Sequence, residues 1–200
     1  VDLHTHSNIS DGTLSPEQLV RAANEVGIHT LALTDHDTMD GLIQAEEIAK
    51  ELGIQLISGV EISSQWSRPA TNKTYGVHIV ALNMQNPAPL LVLLEKQKQI
   101  RAIRAKQIFD LLILLIGEDI YADVIAKVDN IPDRVTRTHI ARSLMEKGYV
   151  SRVQQAFDKY IKEGKKAYVK FDGLGLEDTI RVIHESGGYA VLAHPTRYDL

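Results

Sequence analysis

Apolar positions follow two rhythms over the first eighty residues, short runs alternating with helical stripes. A first strand is brief and ends near His4. Ser15-Pro16-Glu17-Gln18 then opens a helix: Ser caps, Pro fits the first turn and Gln returns the capping bond. Leu19, Val20, Ala23 and Val26 supply its apolar stripe, and Gly27 stops it. Thr30 to Thr34 reads as a strand. A second helix runs from about Met39 to Leu52, with Leu42, Ile43, Ala45, Ile48, Ala49 and Leu52 facing inward and Gly53 ending it. Ile54 to Ile62 and Val77 to Leu82 read as two further strands.

From Pro87 to about Ile116 the spacing is helical throughout, with Lys96, Lys98, Arg101, Arg104 and Lys106 predicted on the exposed side. Ile108 to Ile116 is the most apolar run and reads as a buried helix end. More helix is predicted at Ile120–Val128, Thr138–Lys147 and Val153–Lys162, then a strand at Ala167–Lys170. A last helix, Leu176 to Glu185, stops at Gly187-Gly188 and feeds a strand at Tyr189–Ala193 that delivers His194. Alternating strand and helix predict an α/β fold with parallel strands. The body occupies 1–86 and 171–200, and 87–170 is a mainly helical insertion.

Composition narrows the chemistry. The chain has no cysteine, so disulfides and thiolate metal sites are excluded and any metal falls to imidazole and carboxylate. No apolar run reaches the length of a membrane helix. The chain opens on a polar segment with no signal-peptide pattern, which makes the cytoplasm the expected location. It begins without Met and stops just after a strand, so continuation past Leu200 is expected. The net charge of −4 divides unevenly. Residues 95–170 hold 16 basic and 10 acidic residues, against 6 and 16 elsewhere. An acidic body suits cations, and a basic insertion suits phosphate.

The histidines and carboxylates fall where such a body would gather them. His4 and His6 end strand one with Asp11 close behind, Asp35-His36-Asp37 ends strand two, and His194 ends the last strand. Glu61 lies near the end of strand three, and His78 begins or lies within strand four. In a parallel βα barrel, C-terminal strand ends meet at one face. His-x-His on a strand puts both imidazoles on one side, able to share one metal at ~2.0–2.1 Å. Glu61 has two oxygens with which to bridge two ions. Such a shell suits Zn²⁺, Mn²⁺ or Fe²⁺. His29 and His184 read as structural or exposed, while His139 belongs to the basic segment. No closely spaced aromatic platform is apparent.

Asp2-Leu3-His4-Thr5-His6, Ser10-Asp11-Gly12, Thr34-Asp35-His36-Asp37, Gly59-Val60-Glu61-Ile62 and Ala193-His194-Pro195 together resemble the polymerase and histidinol phosphatase (PHP) family. Thr136-Arg137-Thr138-His139, Gly164-Lys165-Lys166-Ala167-Tyr168-Val169 and Thr196-Arg197-Tyr198 resemble the branch acting on nucleoside 3′,5′-bisphosphates and short RNA 5′ ends. The resemblance implies a distorted (β/α)₇ TIM-like barrel with a helical insertion lobe and two or three divalent ions. His4, His6 and Glu61 would hold one ion, Asp11 and His36 a second, and Glu61, His78 and His194 a third. The family's Asp-x-His pair from a late strand does not occur before Leu200. The expected reaction is phosphoester hydrolysis by a metal-bridging hydroxide. Arg137, Lys165 and Arg197 would bind substrate phosphate, and Asp35, Asp37 or His139 would orient ligands or move protons. The expected partner is a phosphorylated nucleotide or short RNA, with no membrane and no DNA duplex. The alternatives are another phosphomonoester, such as histidinol phosphate or phosphotyrosine, and a non-catalytic metal-binding module.

Overall fold

The computed structural model of the chain describes residues 1–71 and 73–198, the side chain of Arg197 excepted. The chain divides into two compact units, Val1–Gln97 with Gly173–Leu200, and Lys98–Asp172. In chain order the first unit opens with β1 (Asp2–Thr5), α1 (Pro16–Glu25), β2 (Thr30–Leu33), α2 (Leu42–Leu52), β3 (Gln55–Ser67) and β4 (Thr74–Leu82). Helix α3 (Ala88–Ile116) begins in this unit and continues into the second. There α4 (Tyr121–Ile125), α5 (Arg137–Glu146) and α6 (Val153–Ala156) follow, the last running into a π-turn at Phe157–Ile161. The chain then returns to the first unit as β5 (Leu174–Gly175), α7 (Leu176–Glu185) and β6 (Tyr189–Leu192).

Helix α1 starts where its capping residues dictate. Ser15 Oγ accepts from the Gln18 amide at 3.2 Å, and Gln18 Oε1 accepts from the Ser15 amide at 2.9 Å. Helix α2 ends at Gly53, whose φ of 70° suits a residue without Cβ. Two expected core positions are corrected. Val26 is 74% exposed because it caps α1 beyond the last buried turn. Ile43 is 73% exposed because it shares a helix face with Glu46 and Glu47, while Ala45 and Ala49 take the buried one.

The sheet is mixed, a correction to the all-parallel expectation. Its order is β1-β2-β3-β4-β6, with β5 beside β3. Strands β1, β2 and β3 are mutually parallel, but β4 runs antiparallel to both β3 and β6. The reason is connection length: residues 68–73 join β3 to β4, enough for a hairpin, whereas parallel strands need a crossover of about a dozen residues. Among the described residues the sheet is open, with β1 and β6 at its edges. The predicted strand at Ala167–Lys170 is also absent. The Ala167 amide bonds to the Tyr160 carbonyl at 2.9 Å and the Tyr168 amide to that of Lys165 at 3.0 Å, so local turns use these groups. The short strand β5 pairs instead with Ser64 and Gln65.

In the second unit Ile108, Leu112, Ile120, Ile140, Leu144 and Ile161 are each under 2% exposed. Each contributes about 1.5–3 kcal/mol by burial. The helix end Ile108–Ile116 is buried on one side only, since Leu114 is 82% exposed. Arg101 and Arg104, expected on the outer face, are half-buried. Among the described residues no helix is long and apolar enough to cross a membrane.

Candidate metal centre

The site begins with stitching between strands. Strand β1 pairs irregularly with β2, Asp2 opposite Leu31 and Thr5 opposite Leu33. Side chains close the irregularity: Thr34 Oγ1 accepts from the Thr5 amide at 3.0 Å, and Thr5 Oγ1 donates to the Ala32 carbonyl at 2.7 Å. Beyond β1 the chain turns tightly, and a Cβ on Gly12 would sit 2.2 Å from the His6 carbonyl oxygen. Gly59 serves the same end on β3, where a Cβ would meet the Leu33 carbonyl oxygen at 2.8 Å. This close approach continues into a parallel bridge between His36 and Glu61.

Two buried aspartates hold that frame. Asp35 accepts from the Ser7 amide at 2.7 Å, Ser7 Oγ at 2.6 Å and Ser10 Oγ at 2.6 Å, fixing the loop between His6 and Asp11. Asp37 accepts from the Ser63 amide at 2.7 Å, Ser63 Oγ at 2.8 Å and Gln97 Nε2 at 3.3 Å. Asp37 and His194 both adopt left-handed backbone, with φ of 55° and 48°. Such conformations cost about 1–3 kcal/mol outside glycine and concentrate at functional sites.

Glu61, fully buried, is the hub. Its Oε2 lies 2.9 Å from His4 Nε2 and 3.0 Å from His6 Nε2. Its Oε1 lies 2.9 Å from His78 Nδ1 and 3.1 Å from His194 Nε2. His36 Nδ1 stands 3.5 Å from Oε2 without hydrogen-bond geometry, and His36 Nε2 is 3.8 Å from Asp11 Oδ1. The five imidazoles close a ring around the carboxylate. In the order His4, His6, His36, His78, His194 and back to His4, neighbouring centroids are 5.1, 4.7, 5.2, 6.2 and 4.9 Å apart.

The electrostatics follow from this crowding. Burial opposes charge on Glu61, but hydrogen bonds from His4, His6 and His78 outweigh it and hold its carboxyl far below the usual carboxylate range. Burial, opposed in part by the charges of Glu61 and Asp11, pushes His36 down to about 4, so its imidazole is neutral at pH 7. Burial also acts against charge on His6, but its bond to Glu61 and the charges of Glu61, Asp11 and Asp35 raise it above its ordinary value. An ionised carboxylate ringed by imidazole nitrogens is a donor set for a divalent cation. Among the described residues two groups have donor atoms close enough to share one ion: His4, Glu61 and His194, and His6, His36 and Glu61. The Nδ1 atoms of His6 and His36 are buried without a hydrogen-bond partner among the described residues, as expected where a further ligand is needed. The residues present therefore fit a metal centre.

The structure brings His4, His6, His36, Glu61, His78 and His194 together, with Asp11 at the rim beside His36. Asp35 and Asp37 lie behind them as scaffolding. His139 is buried at the start of α5, where its Nδ1 accepts from the Thr136 amide at 3.1 Å. Arg137 is half-buried over the Phe157 ring, and Lys165 is exposed. The Arg197 side chain lies outside the described residues. Sequence reasoning missed three contributors. The Tyr198 hydroxyl accepts from the His78 amide at 2.9 Å, Ser63 anchors Asp37, and Gln97 donates to Asp37. Nothing in the helical pattern around Gln97 marked it as buried polar. Trp66 and Tyr75 also form a cross-strand aromatic pair, centroids 5.9 Å apart, that the sequence spacing concealed.

Known proteins resemble this chain in sequence and fold. Over its whole length the chain is 44% identical to a 5′-3′ exoribonuclease of Haemophilus influenzae, covering 70% of that protein. It is 37% identical over 201 residues to a 3′,5′-nucleoside bisphosphate phosphatase of Chromobacterium violaceum, covering 68% of it. A solved amidohydrolase of Chromobacterium violaceum, with bound SO4 and no metal, matches with a TM-score of 0.90 at 37% identity. That match covers 100% of this chain and 68% of the other. Fold and site define a hydrolase of the metal-dependent phosphoesterase class. A family model described as PHP domain matches residues 2–177, and the chain belongs to that family.

Proposed function

We propose that the chain hydrolyses phosphate esters of nucleotides, nucleoside 3′,5′-bisphosphates or short RNA 5′ ends, with two or three divalent ions around Glu61. The observation that carries this reading is Glu61 itself, a buried carboxylate with imidazole pairs on both oxygens. His4, His6 and Glu61 would hold one ion, His36 and Asp11 a second, and Glu61, His78 and His194 a third. Mn²⁺, Fe²⁺ and Zn²⁺ all suit this donor set. When bound, such ions lower the pKa of water and neutralise phosphate charge.

The chain's own groups do the rest. Asp35 and Asp37 keep the imidazole-bearing loops in register through their serine bonds. Neutral His36 presents a lone pair at pH 7. His139, whose Nδ1 accepts from the Thr136 amide, is a candidate to move a proton for a leaving oxygen. Arg137, Lys165 and Arg197 supply charge for substrate phosphate. The relative solved with bound SO4 supports an affinity for tetrahedral oxyanions. The distorted (β/α)₇ barrel belongs to the same reading.

The test is phosphate release from adenosine 3′,5′-bisphosphate, a 5′-phosphorylated RNA oligomer, histidinol phosphate and phosphotyrosine, each with Mn²⁺ and with chelator. Chelator-sensitive turnover of the first two, well above the others, is the expected result. Preference for either of the last two would replace the nucleotide by another phosphomonoester. No turnover with metal bound would mark a non-catalytic module.

A further inference from the structure

Helix α3 carries a polar residue into the core. Leu90, Leu93 and Leu94 are buried, while Leu91 and Val92 between them are 48% and 64% exposed. Gln97 continues the inward stripe, three residues beyond Leu94 and four beyond Leu93, and is fully buried. The unbroken apolar run 90–94 hides this face in the sequence. An amide at such a position is costly unless its polar atoms are matched. Gln97 Oε1 has no hydrogen-bond partner among the described residues. A side chain needed only to fill this space would be apolar.

The amide hydrogens, by contrast, are committed. Gln97 Nε2 donates to Asp37 Oδ1 at 3.3 Å and to the Ser63 carbonyl oxygen. Asp37 in turn accepts from Ser63, from its amide at 2.7 Å and its Oγ at 2.8 Å. Helix α3 and strand β3 thus hold the same carboxylate. The consequence falls on a neighbour. The Asp37 amide donates to the Glu61 carbonyl at 2.9 Å, and the Glu61 amide to that of Asp35 at 3.2 Å. These two bonds bracket His36 and pair it with Glu61. The Asp37 backbone sits at φ 55°, a conformation that persists only where the surroundings enforce it. Ser63 and Gln97 supply that enforcement.

We propose that Gln97 is a positioning residue for the metal centre: by holding Asp37 on Ser63, it keeps His36 beside Glu61 as an ion requires. This role rests on the metal reading of the imidazole cluster. Gln97 acts through Asp37 and not on the ion. Partners behind the ligands fix ligand orientation, and losing one typically weakens metal binding about 10–100-fold.

The experiment is a double-mutant cycle on the full chain with Gln97→Met, Asp37→Asn and the two together. The Mn²⁺ dissociation constant is read by competition with a metallochromic dye, and melting of the metal-free proteins by circular dichroism. Gln97→Met keeps the volume and removes both donated bonds. It should weaken Mn²⁺ binding about 10-fold or more while the protein still melts cooperatively. The double variant should bind no more weakly than Asp37→Asn alone, because residues acting through one contact are not additive. Unchanged affinity in Gln97→Met, or losses that multiply in the double variant, would overturn the role. So would unfolding of both Gln97→Met and Gln97→Leu, which would assign Gln97 to packing. If the wild type itself binds no Mn²⁺, the metal reading fails and a metal-free crystal structure of Gln97→Met decides the rest. Asp37 displaced from Ser63 would keep the positioning role, and an unmoved Asp37 would remove it.

Discussion

The two units of this chain handle charge in opposite ways. In the unit of Val1–Gln97 with Gly173–Leu200, one buried carboxylate gathers five imidazoles from four strands and their ends. In Lys98–Asp172, arginines gather on α3 and α5, and Arg104 and Arg137 have no carboxylate partner among the described residues. Neither arrangement resembles the exposed pairs that decorate the same molecule, such as Arg181 with Glu185 or Lys106 with Asp110. Those pairs are complete and screened by water. The buried groups differ: Glu61 with its imidazoles fits a divalent cation, whereas Arg104 and Arg137 lie against a backbone carbonyl and aromatic rings.

The comparison breaks most sharply at Glu61. Glu61→Gln removes the charge but keeps the volume, and should lower turnover by at least about 10³-fold, roughly 4 kcal/mol of barrier. Metal content per chain, measured by mass spectrometry, should fall with it. Retained metal and activity would mean the imidazoles suffice alone. Asp35→Asn is expected to act at one remove. It weakens the acceptor for Ser7 and Ser10, so metal affinity should fall about 10–100-fold, read by competition with a metallochromic dye. Thermal stability should fall as well, by about 1–3 kcal/mol.

Leu112→Ala sharpens the contrast from the other unit. Leu112 is fully buried, so its truncation should cost about 2–5 kcal/mol in denaturant unfolding. Metal content should stay at the wild-type value, whereas a fall would show that the helical core sustains the metal ligands. The smallest effect concerns protons. In metal-free protein His36 titrates at about 4, below its ordinary 6.5, so the unfolded chain takes up that proton first. Its contribution to stability is present in full above about pH 6.5 and is lost as the pH falls towards 4. His6, whose value is raised, contributes in the opposite direction: fully below its unfolded value and less as the pH rises through the folded one. Histidine NMR of the chelated protein at pH 6 should show His36 neutral and His6 protonated. Equal titration of the two would refute the asymmetry.

Much of the imidazole cluster was legible in the sequence because strand geometry is simple. His4 and His6 share a side by the period of two, and short strands ended in histidine or aspartate where a parallel sheet would converge them. The sheet direction was less legible. Ser63 to Ser67 reads as polar, yet it extends β3 into a hairpin with β4, and that reversal makes the sheet mixed. The strand expected at Ala167–Lys170 misled for a related reason, since buried Ala167 packs into a helical cluster and its amide is used by a turn. Arg104 was hidden more deeply. Helical spacing assigned it to the outer face, and its half-burial depends on Val169 and Phe171, some 65 residues onward. No local pattern carries that information. The roles of Asp35 and Asp37 were similarly open, because the serines that bind them lie on other segments.

The most direct test is a crystal of the chain grown with Mn²⁺, with anomalous scattering used to place the ion. The account predicts anomalous peaks within coordination distance of Glu61, one beside Oε2 with His4 and His6 and another beside Oε1 with His78 and His194. Ions found elsewhere, or a Glu61 ringed by imidazoles with no peak beside it at saturating Mn²⁺, would contradict it.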